Sequence, residues 1–192
     1  ALINYHFIQK CGQYVKEFGQ TDSFQMMMCI PEQEEGHEFS VEHLLTAKPV
    51  YRGECKTEFY IWQVPKSVPL AADISKHFIH PDNINKLHNG VRLKVVTYEK
   101  DGLVLRRVAR EGDFIDITTI ELEDAMNPDI IHHYPKSAKY SISTQPGDCG
   151  APVIINSTAF AKNILGFHFG GSPGFGTCSV ITFKDIEKHI RK

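Results

Sequence analysis

The sequence Gly147-Asp148-Cys149-Gly150-Ala151-Pro152 has the form of a nucleophile turn in which cysteine is the reactive residue. A second stretch, Gly166-Phe167-His168-Phe169-Gly170-Gly171, places a histidine in an apolar strand 19 residues beyond Cys149. An attacking thiol needs exposure and hydrogen-bond donors aimed at the oxyanion that it creates. Glycines on both sides of Asp148 and Cys149 permit a tight turn that brings N–H groups close to a substrate carbonyl. We therefore expect the backbone of Gly147, Asp148 and Cys149 to form an oxyanion hole, with the N–H groups of Gly147 and Cys149 as donors.

Together the two stretches resemble the chymotrypsin-like cysteine proteases of picorna-like positive-strand RNA viruses, the picornaviral main protease family. The resemblance spans nearly the whole chain. It implies an all-β, two-barrel chymotrypsin-like fold with the active site between the barrels. It also implies that the chain is a cysteine endopeptidase that cuts a viral polyprotein, in the cytoplasm of the host cell. On this reading Cys149 is the nucleophile.

The composition fits a soluble globular protein with one large domain or two small ones. Of 192 residues, 42% are hydrophobic and 23% are charged. The net charge of −2 gives no overall electrostatic attraction to nucleic acid or to an anionic membrane. No apolar run approaches the ~18 residues of a membrane-spanning helix. The five cysteines are odd in number and form no Cys-x-x-Cys pair, which argues against a disulfide framework or a zinc ribbon and favours a reducing cytosol.

Short strand-like runs separated by turn residues predict a β-rich chain. The runs are 1–8, 24–30, 48–52, 59–64, 92–98, 103–109, 114–122, 140–144, 152–155, 163–169 and 177–181. The Asp-Gly pair at 101–102 predicts a hairpin. Residues 66–90 break this rhythm with prolines and polar residues, and we place the domain boundary there. The predicted division is a first barrel at 1–68, a connector at 69–90, and a second barrel with the nucleophile at 91–192. A short C-terminal helix is predicted from Thr182 onward, because Phe183, Ile186 and Ile190 recur at helical spacing.

The general base has to be chosen among ten histidines. In the family that the chain resembles, the base lies in the first barrel at the end of a buried strand, and His6 follows such an apolar run. His43 is the alternative, and His37 lies in a glutamate-rich loop. The adjacent pair at 132–133 is interpreted as a surface pair, because neighbouring residues in a strand face opposite ways and rarely chelate one ion. Neither a metal nor a cofactor is expected.

Glu58 is our choice for the acid that orients the imidazole. It precedes a largely apolar run to Val64, and the resemblance implies an acid at such a place between the histidine and the interdomain connector. A carboxylate there can accept a hydrogen bond from Nδ1 of His6 and so fix the tautomer of the ring. Glu54 is the nearest competitor.

The resemblance assigns His168 to the substrate pocket, with Thr144, five positions before Cys149, facing it. A neutral imidazole and a hydroxyl can bind the carboxamide oxygen of a glutamine, so we expect cleavage after Gln, or Glu. Gly166, Gly170 and Gly171 are expected to keep the strand edge open for the substrate backbone, which adds as an extra strand.

The beginning of the chain departs from the family pattern, because only five residues precede His6. We therefore expect a segment cut from a longer polyprotein, with a first barrel that lacks its N-terminal strands. The alternative hypothesis is a protease-like module that has lost activity and binds RNA or a partner. Weak RNA binding is conceivable through the connector or through a basic patch of Arg106, Arg107 and Arg110. A cellular trypsin-like relative is disfavoured by the cysteine nucleophile and the missing disulfides.

Overall fold

The computed structural model describes residues 1–18, 25–28, 37–52, 54–68, 72–101, 104–124 and 127–190. The strands are β1 (Leu2–Asn4), β2 (Gln25–Met28), β3 (His37–Ser40), β4 (Lys48–Arg52), β5 (Cys55–Ile61), β6 (Arg92–Asp101), β7 (Val104–Glu123), β8 (Ile131–Tyr140), β9 (Pro152–Ile155), β10 (Ile164–Ser172) and β11 (Phe175–Val180). The helices are α1 (Tyr5–Phe18), α2 (Val41–Leu45), α3 (Pro81–Ile84) and α4 (Phe183–Ile190), with a 3₁₀ turn at Ser75–His77. The prediction of a β-rich chain is confirmed.

The second half of the chain forms a closed antiparallel barrel with the strand order β10-β11-β8-β7-β6-β9. Apolar residues of β6 alternate with charged ones, so that Leu93 and Val95 are fully buried while Arg92 and Lys94 point outward. Val153 of β9 and Leu165 of β10 complete the same core. The turn that carries Cys149 lies between β8 and β9, so both of its ends are fixed by this packed interior.

The described residues of the first part of the chain form two open sheets, β1-β5-β4 and β2-β3. In the larger sheet Asn4 of β1 pairs with Phe59 of β5. Phe59 enters a second core that also contains Tyr134 and Phe169 of the barrel and Ile186 of α4. The larger sheet is thereby fixed to the barrel by apolar packing.

The N-terminal segment is corrected by the structure. We expected a strand over residues 1–8, but the strand ends at Asn4 and α1 begins at Tyr5. Ile8, Cys11 and Val15 recur at helical spacing, which favours a helix with one apolar face. His6 therefore lies in the first turn of a helix, immediately after a strand.

The long hairpin of β7 and β8 also differs from expectation. We expected an interruption between two strands near Arg110, but β7 runs through without a break. Gly112 permits this, since a Cβ atom there would lie 2.6 Å from the carbonyl oxygen of Ser141. We expected a strand at 140–144, whereas β8 ends at Tyr140. Pro135 of β8 is accommodated at a register shift, where Lys136 adopts a φ of 57°.

The C-terminal helix is confirmed as α4, apart from residues 191–192, which lie outside the described residues. The carboxylate of Asp185 accepts hydrogen bonds from the backbone N–H and the hydroxyl of Thr182, at 2.8 and 2.7 Å. Residue 102 of the turn expected at 101–102 lies outside the described residues. On either side of it, Asp101 of β6 pairs with Val104 of β7. The division at residues 68 and 90 stays a prediction. Within the described ranges, no helix has the length and apolar character required to span a bilayer.

Candidate active site

The pairing of β1 with β5 brings His6 against Glu58. Glu58 is almost fully buried in β5, and its Oε1 atom accepts hydrogen bonds from the backbone N–H of His6 at 3.0 Å and from Nδ1 at 2.7 Å. The hydroxyl of Tyr134 in β8 also hydrogen-bonds to Glu58. Burial, followed by the charge of Glu58, raises the pKa of Tyr134 far above its ordinary value, so Tyr134 stays a donor. The carboxylate thus fixes both the position and the tautomer of the His6 ring.

The other nitrogen of His6, Nε2, is left for Cys149. A hydrogen bond with Cys149 is the largest cause that raises the pKa of His6 to about 9, and the hydrogen bond with Glu58 is the second. Burial of the ring acts in the opposite direction and is outweighed. The surroundings therefore stabilise a protonated imidazole at neutral pH, which is the form that an adjacent thiolate requires.

The turn that carries Cys149 is held open by two glycines in the left-handed region, Gly147 with a φ of 103° and Gly150 with a φ of 91°. Cys149 is exposed, and its Sγ atom lies 3.6 Å from the carbonyl oxygen of Phe169. The backbone N–H of Asp148 donates to the carbonyl of Gln145, at 3.0 Å. Because the Asp148 amide is engaged in this way, the donors available at the turn are the amides of Gly147 and Cys149.

His168 lies in β10 and is 2% exposed. Its Nδ1 atom is 2.7 Å from the hydroxyl of Tyr140, which is a shorter contact than the 3.3 Å between that hydroxyl and the carbonyl of Thr177. The carbonyl of Thr177 accepts a hydrogen bond from the Tyr140 hydroxyl and also one from the ring of His168. Burial lowers the pKa of His168 to about 4, against the opposing effect of the Asp148 charge. The ring is therefore an uncharged donor over the physiological pH range.

The backbone of His168 connects the pocket strand to the nucleophile turn and to β1. Its carbonyl accepts hydrogen bonds from the N–H of Gly150 at 2.8 Å and from Nδ2 of Asn4 at 3.3 Å, and its N–H donates to Ala151 at 2.8 Å. Asn4 is buried and directly precedes α1. These contacts fix the spacing between β1, which leads into α1 with His6, and the turn that carries Cys149.

The three glycines of β10 have different surroundings, and the expectation for Gly166 is wrong. Gly166 pairs with Val180 on one edge and with Val153 on the other, so no edge is open to a substrate strand there. A Cβ atom on Gly166 would lie 1.8 Å from the carbonyl oxygen of Ser179, which explains the glycine by strand packing. Gly170 and Gly171 pair only with β11 within the described residues, which leaves their second edge free. A Cβ atom on Gly171 would lie 2.6 Å from the Thr144 hydroxyl, so Thr144 lies at this edge.

The competing residues lie elsewhere. His43 is in α2, where Nε1 of Trp62 donates to its Nδ1 atom at 3.1 Å and to its carbonyl at 3.0 Å. Glu54 is exposed before β5, and His37 begins β3. The adjacent histidines at 132–133 contact separate carboxylates, with His132 2.6 Å from Asp124 and His133 3.1 Å from Glu121. Across the described part of the chain, no group of three or more His, Cys, Asp or Glu side chains is arranged to hold a metal ion.

Four side chains make contacts at the site that the sequence did not indicate. Tyr134 and Tyr140 on β8 bond to Glu58 and His168, and Asn4 bonds to the pocket strand. Arg110 was expected in an exposed basic patch, but its Nη1 atom lies 2.6 Å from Oδ2 of Asp148 in the nucleophile turn. Each of these contacts joins residues that are far apart in the chain, and residue spacing gives no signal for them.

Comparison with known proteins decides the family. A family model of the 3C cysteine proteases (picornain 3C) matches residues 76–173, about half of the chain. The chain belongs to this family. The family is one of cysteine proteases, as the sequence predicted.

A viral relative is the replicase polyprotein of Acute bee paralysis virus (strain Rothamsted), with 28% identity over 144 residues. The match covers 73% of this chain and 7% of the polyprotein, so the chain spans a small part of its relative. A catalytically inactive tobacco etch virus protease, solved in complex with substrate, has a TM-score of 0.58 at 12% identity and covers 99% of this chain and 71% of its own. A mutant of tobacco etch virus protease has a TM-score of 0.51 at 14% identity, with coverages of 81% and 58%. These likenesses show the fold, and the expected all-β chymotrypsin-like class is confirmed.

Proposed function

We propose that this chain is a polyprotein-processing endopeptidase. Cys149 attacks the backbone carbonyl of a Gln, or Glu, residue, so that the chain is cut after that residue. His6 is the base in this proposal, and Glu58 orients it. The observation that carries the proposal is the hydrogen-bonded series from Cys149 through His6 to Glu58. Its members come from different elements, the nucleophile turn, α1 and β5, and a purely structural cysteine has no need of such an arrangement.

The reaction follows from the positions of these groups. Cys149 gives its proton to Nε2 of His6, and the thiolate attacks the substrate carbonyl carbon. The oxyanion receives hydrogen bonds from the amides of Gly147 and Cys149. His6 then passes its proton to the departing amine, which leaves a thioester on Cys149. A water molecule, deprotonated by His6, attacks the thioester, and its collapse releases the carboxylic acid and regenerates the thiolate.

The pocket chemistry supports selection of Gln. His168 presents a neutral donor beside the turn, and the Thr144 hydroxyl lies at the same end of β10. A carboxamide oxygen satisfies such donors, whereas a lysine or arginine would be buried without a counter-charge. Gly170 and Gly171 offer an open strand edge to the substrate backbone. We place the substrate polyprotein, and hence the enzyme, in the reducing cytoplasm of the host cell.

The proposal is tested with four peptides that differ only in Gln, Glu, Lys or Phe before the scissile bond. We expect cleavage of the Gln peptide, with the Glu peptide second, and no cleavage by Cys149→Ala. Cys11→Ala is the matched control, because it removes a second, half-buried thiol that lies in α1 and not in the nucleophile turn. Iodoacetamide should label Cys149 first. Activity that survives Cys149→Ala would refute the assignment of the nucleophile, and a preference for Lys or Phe would refute the pocket.

A further inference from the structure

The carboxylate of Asp148, the residue before Cys149, is buried in the nucleophile turn. Its side chain is 7% exposed. Its Oδ2 atom accepts two hydrogen bonds, from the backbone N–H of Gln145 at 2.7 Å and from Nη1 of Arg110 at 2.6 Å. A buried carboxylate needs a counter-charge and hydrogen-bond donors, and Arg110 supplies the only cation that contacts it among the described residues.

Arg110 reaches this carboxylate from β7, on the barrel wall. Its side chain is 20% exposed, and its Nη2 atom bonds to Oε1 of Glu99 in β6 at 2.5 Å. Burial alone would lower the pKa of Arg110, but the hydrogen bonds to Glu99 and Asp148 raise it overall, so the guanidinium stays charged. Glu99 holds the far side of the guanidinium and thereby aims Nη1 at the turn.

The first consequence concerns the shape of the turn. The backbone of Asp148 closes the loop by donating to Gln145, while its side chain accepts from the N–H of the same residue. The loop between these bonds contains Gly147, which adopts a positive φ. Because glycine lacks a Cβ atom, its backbone has little intrinsic preference for one conformation. Fixing Asp148 from outside the loop therefore fixes the amides of Gly147 and Cys149.

The second consequence concerns the charge near His168. The groups that act on its ring are Asp148 of the turn, the backbone carbonyl of Thr177 in β11, His6 of α1 and Arg110 of β7, together with the hydroxyl of Tyr140. Burial is the largest cause of its lowered pKa. The negative charge of Asp148 and the hydrogen bond with the Thr177 carbonyl raise that pKa, and the positive charges of His6 and Arg110 lower it. Cys178 pairs opposite His168 in β11 and is itself buried, with a pKa raised by burial, so it adds no charge.

We propose that Arg110 is a positioning and selectivity residue, which through its ion pair with Asp148 holds the Cys149 turn and cancels the carboxylate charge beside the glutamine pocket. The idea rests on the proposed function for its link to Gln. Without Arg110, the pocket ring has an unbalanced anion as a neighbour and takes up a proton at higher pH. A protonated, buried ring is poorly matched to an uncharged carboxamide, and because the pKa of His168 starts at about 4, this loss of Gln selectivity is expected on the acid side of the pH profile.

The test uses Arg110→Met, Asp148→Asn and the double variant. Arg110→Met should lower kcat for the Gln peptide about tenfold and raise the His168 titration midpoint by about one pH unit, the lower range for a nearby charge. Asp148→Asn keeps an acceptor for Gln145 but removes the negative charge near the His168 ring and leaves Arg110 with Glu99 as its carboxylate partner, so the midpoint should fall. The double variant, which strands no buried charge, should return the midpoint towards that of the unmodified protein. Arg110→Lys should recover part of kcat. Arg92→Met is the control, since it breaks an exposed pair with Asp113 on the same barrel.

The midpoint is read from NMR of ring-labelled histidine, with a His168→Gln spectrum to assign the signal, and the rate of Cys149 alkylation reports on the turn. Neither measurement requires turnover. If the unmodified protein cleaves after Gln while Arg110→Met keeps its kcat and midpoint, the role of Arg110 is refuted and the proposed function stands. If the unmodified protein cleaves nothing while Arg110→Met shifts the midpoint and slows alkylation, the proposed function fails and the role of the ion pair stands. Shifts of equal sign in Arg110→Met and Asp148→Asn would refute the electrostatic part.

Discussion

Two histidines lie near Cys149, one in the N-terminal helix α1 and one in the closed barrel, and their surroundings differ. The pKa of His6 is raised to about 9, first by its hydrogen bond with Cys149 and then by that with Glu58. The pKa of His168 is lowered to about 4, first by burial. His6 has a carboxylate 2.7 Å from its Nδ1 atom, whereas the corresponding partner of His168 is the neutral hydroxyl of Tyr140, also at 2.7 Å.

This contrast teaches that burial and hydrogen-bond partners together decide what each ring can do. The hydrogen bonds with Cys149 and Glu58 outweigh burial at His6, stabilise the imidazolium and let the ring accept a proton from the thiol. At His168 burial outweighs the charge of Asp148 and the hydrogen bond with the Thr177 carbonyl, so the ring stays neutral. The N-terminal part of the chain thus supplies charge chemistry, and the barrel supplies an uncharged pocket. The following predictions test this division, beginning with the largest expected effect.

Replacing the charged histidine should have the largest effect. We expect His6→Ala to lower kcat/KM for the Gln peptide by about 10²–10⁴-fold, the usual contribution of a general base. His43→Ala is the control, because Trp62 keeps a hydrogen bond to the His43 carbonyl after truncation. The comparison of kcat/KM in the two variants decides the base. Greater loss in His43→Ala than in His6→Ala would overturn the assignment of His6.

Replacing the carboxylate partner should have the next largest effect. Glu58→Gln keeps an oxygen that can accept from His6 but removes the charge, so we expect a loss of about 10–100-fold in kcat/KM, in line with a charged hydrogen bond. Glu54→Ala, which alters an exposed glutamate before the same strand, should leave kcat/KM within about twofold. Equal losses in the two variants would remove the basis for contrasting His6 with His168.

Some of this division could be predicted from sequence. The stretch at 147–152 predicts a nucleophile turn from its own residues, because the flanking glycines and the thiol have their chemistry locally. Strands β4 and β9 were predicted with the bounds that the structure gives them. The same few motifs carry the resemblance that implied the fold class and the family.

Other parts could not be predicted, since they depend on contacts between distant strands. The helix at Tyr5–Phe18 follows an apolar strand without a break in hydrophobicity, so residues 1–8 read as one strand. Arg110 reads as an exposed strand charge because its partner, Asp148, is 38 residues away. Strand β8 was not predicted, because Pro135 and the irregular backbone at Lys136 interrupt the strand pattern. The placement of Tyr134 and Tyr140 on one strand was missed for the same reason.

The pH dependence should show both histidines at once. His6 has a raised pKa, so its contribution to stability is fully present below about pH 6.5 and is lost as the pH rises through about 9. His168 has a lowered pKa, so its contribution is present above about pH 6.5 and is lost as the pH falls towards 4. Above pH 9 the deprotonated His6 also cannot protonate the leaving amine, so kcat should fall up to about tenfold per pH unit.

Urea unfolding between pH 4.5 and 9.5 measures these two limbs separately. His6→Ala should flatten the alkaline limb of the free energy of unfolding, and His168→Gln should flatten the acid limb. If one variant flattened both limbs of the free energy of unfolding, the two histidines would not titrate independently of each other, and the contrast between them would be wrong.

The smallest effect is expected where the two regions meet, at Asn4. Its Nδ2 atom donates to the carbonyl of His168 at 3.3 Å, and its Oδ1 atom would lie 3.0 Å from a Cβ atom on Gly150. Asn4 therefore sets the distance between the strand that leads to His6 and the turn that carries Cys149. We expect Asn4→Ala to lower kcat a fewfold without changing KM, and to cost about 1 kcal/mol of stability, as for one buried hydrogen bond.

The control for Asn4 is Asn156→Ala, which removes an exposed amide that bonds to Glu111 at 3.4 Å on the barrel surface. Its kcat and KM should match those of the unmodified protein. Asn4→Asp sharpens the test, because it keeps the shape of the side chain but places a second acceptor against the His168 carbonyl. If Asn4 acts through spacing, Asn4→Asp should lose more kcat than Asn4→Ala, since the carboxylate repels that carbonyl and forces the two elements apart. A rise in KM that exceeds the fall in kcat in both variants would instead place Asn4 with the substrate pocket. The N-terminal region with His6 and the barrel with His168 would then be less separate than their histidines indicate.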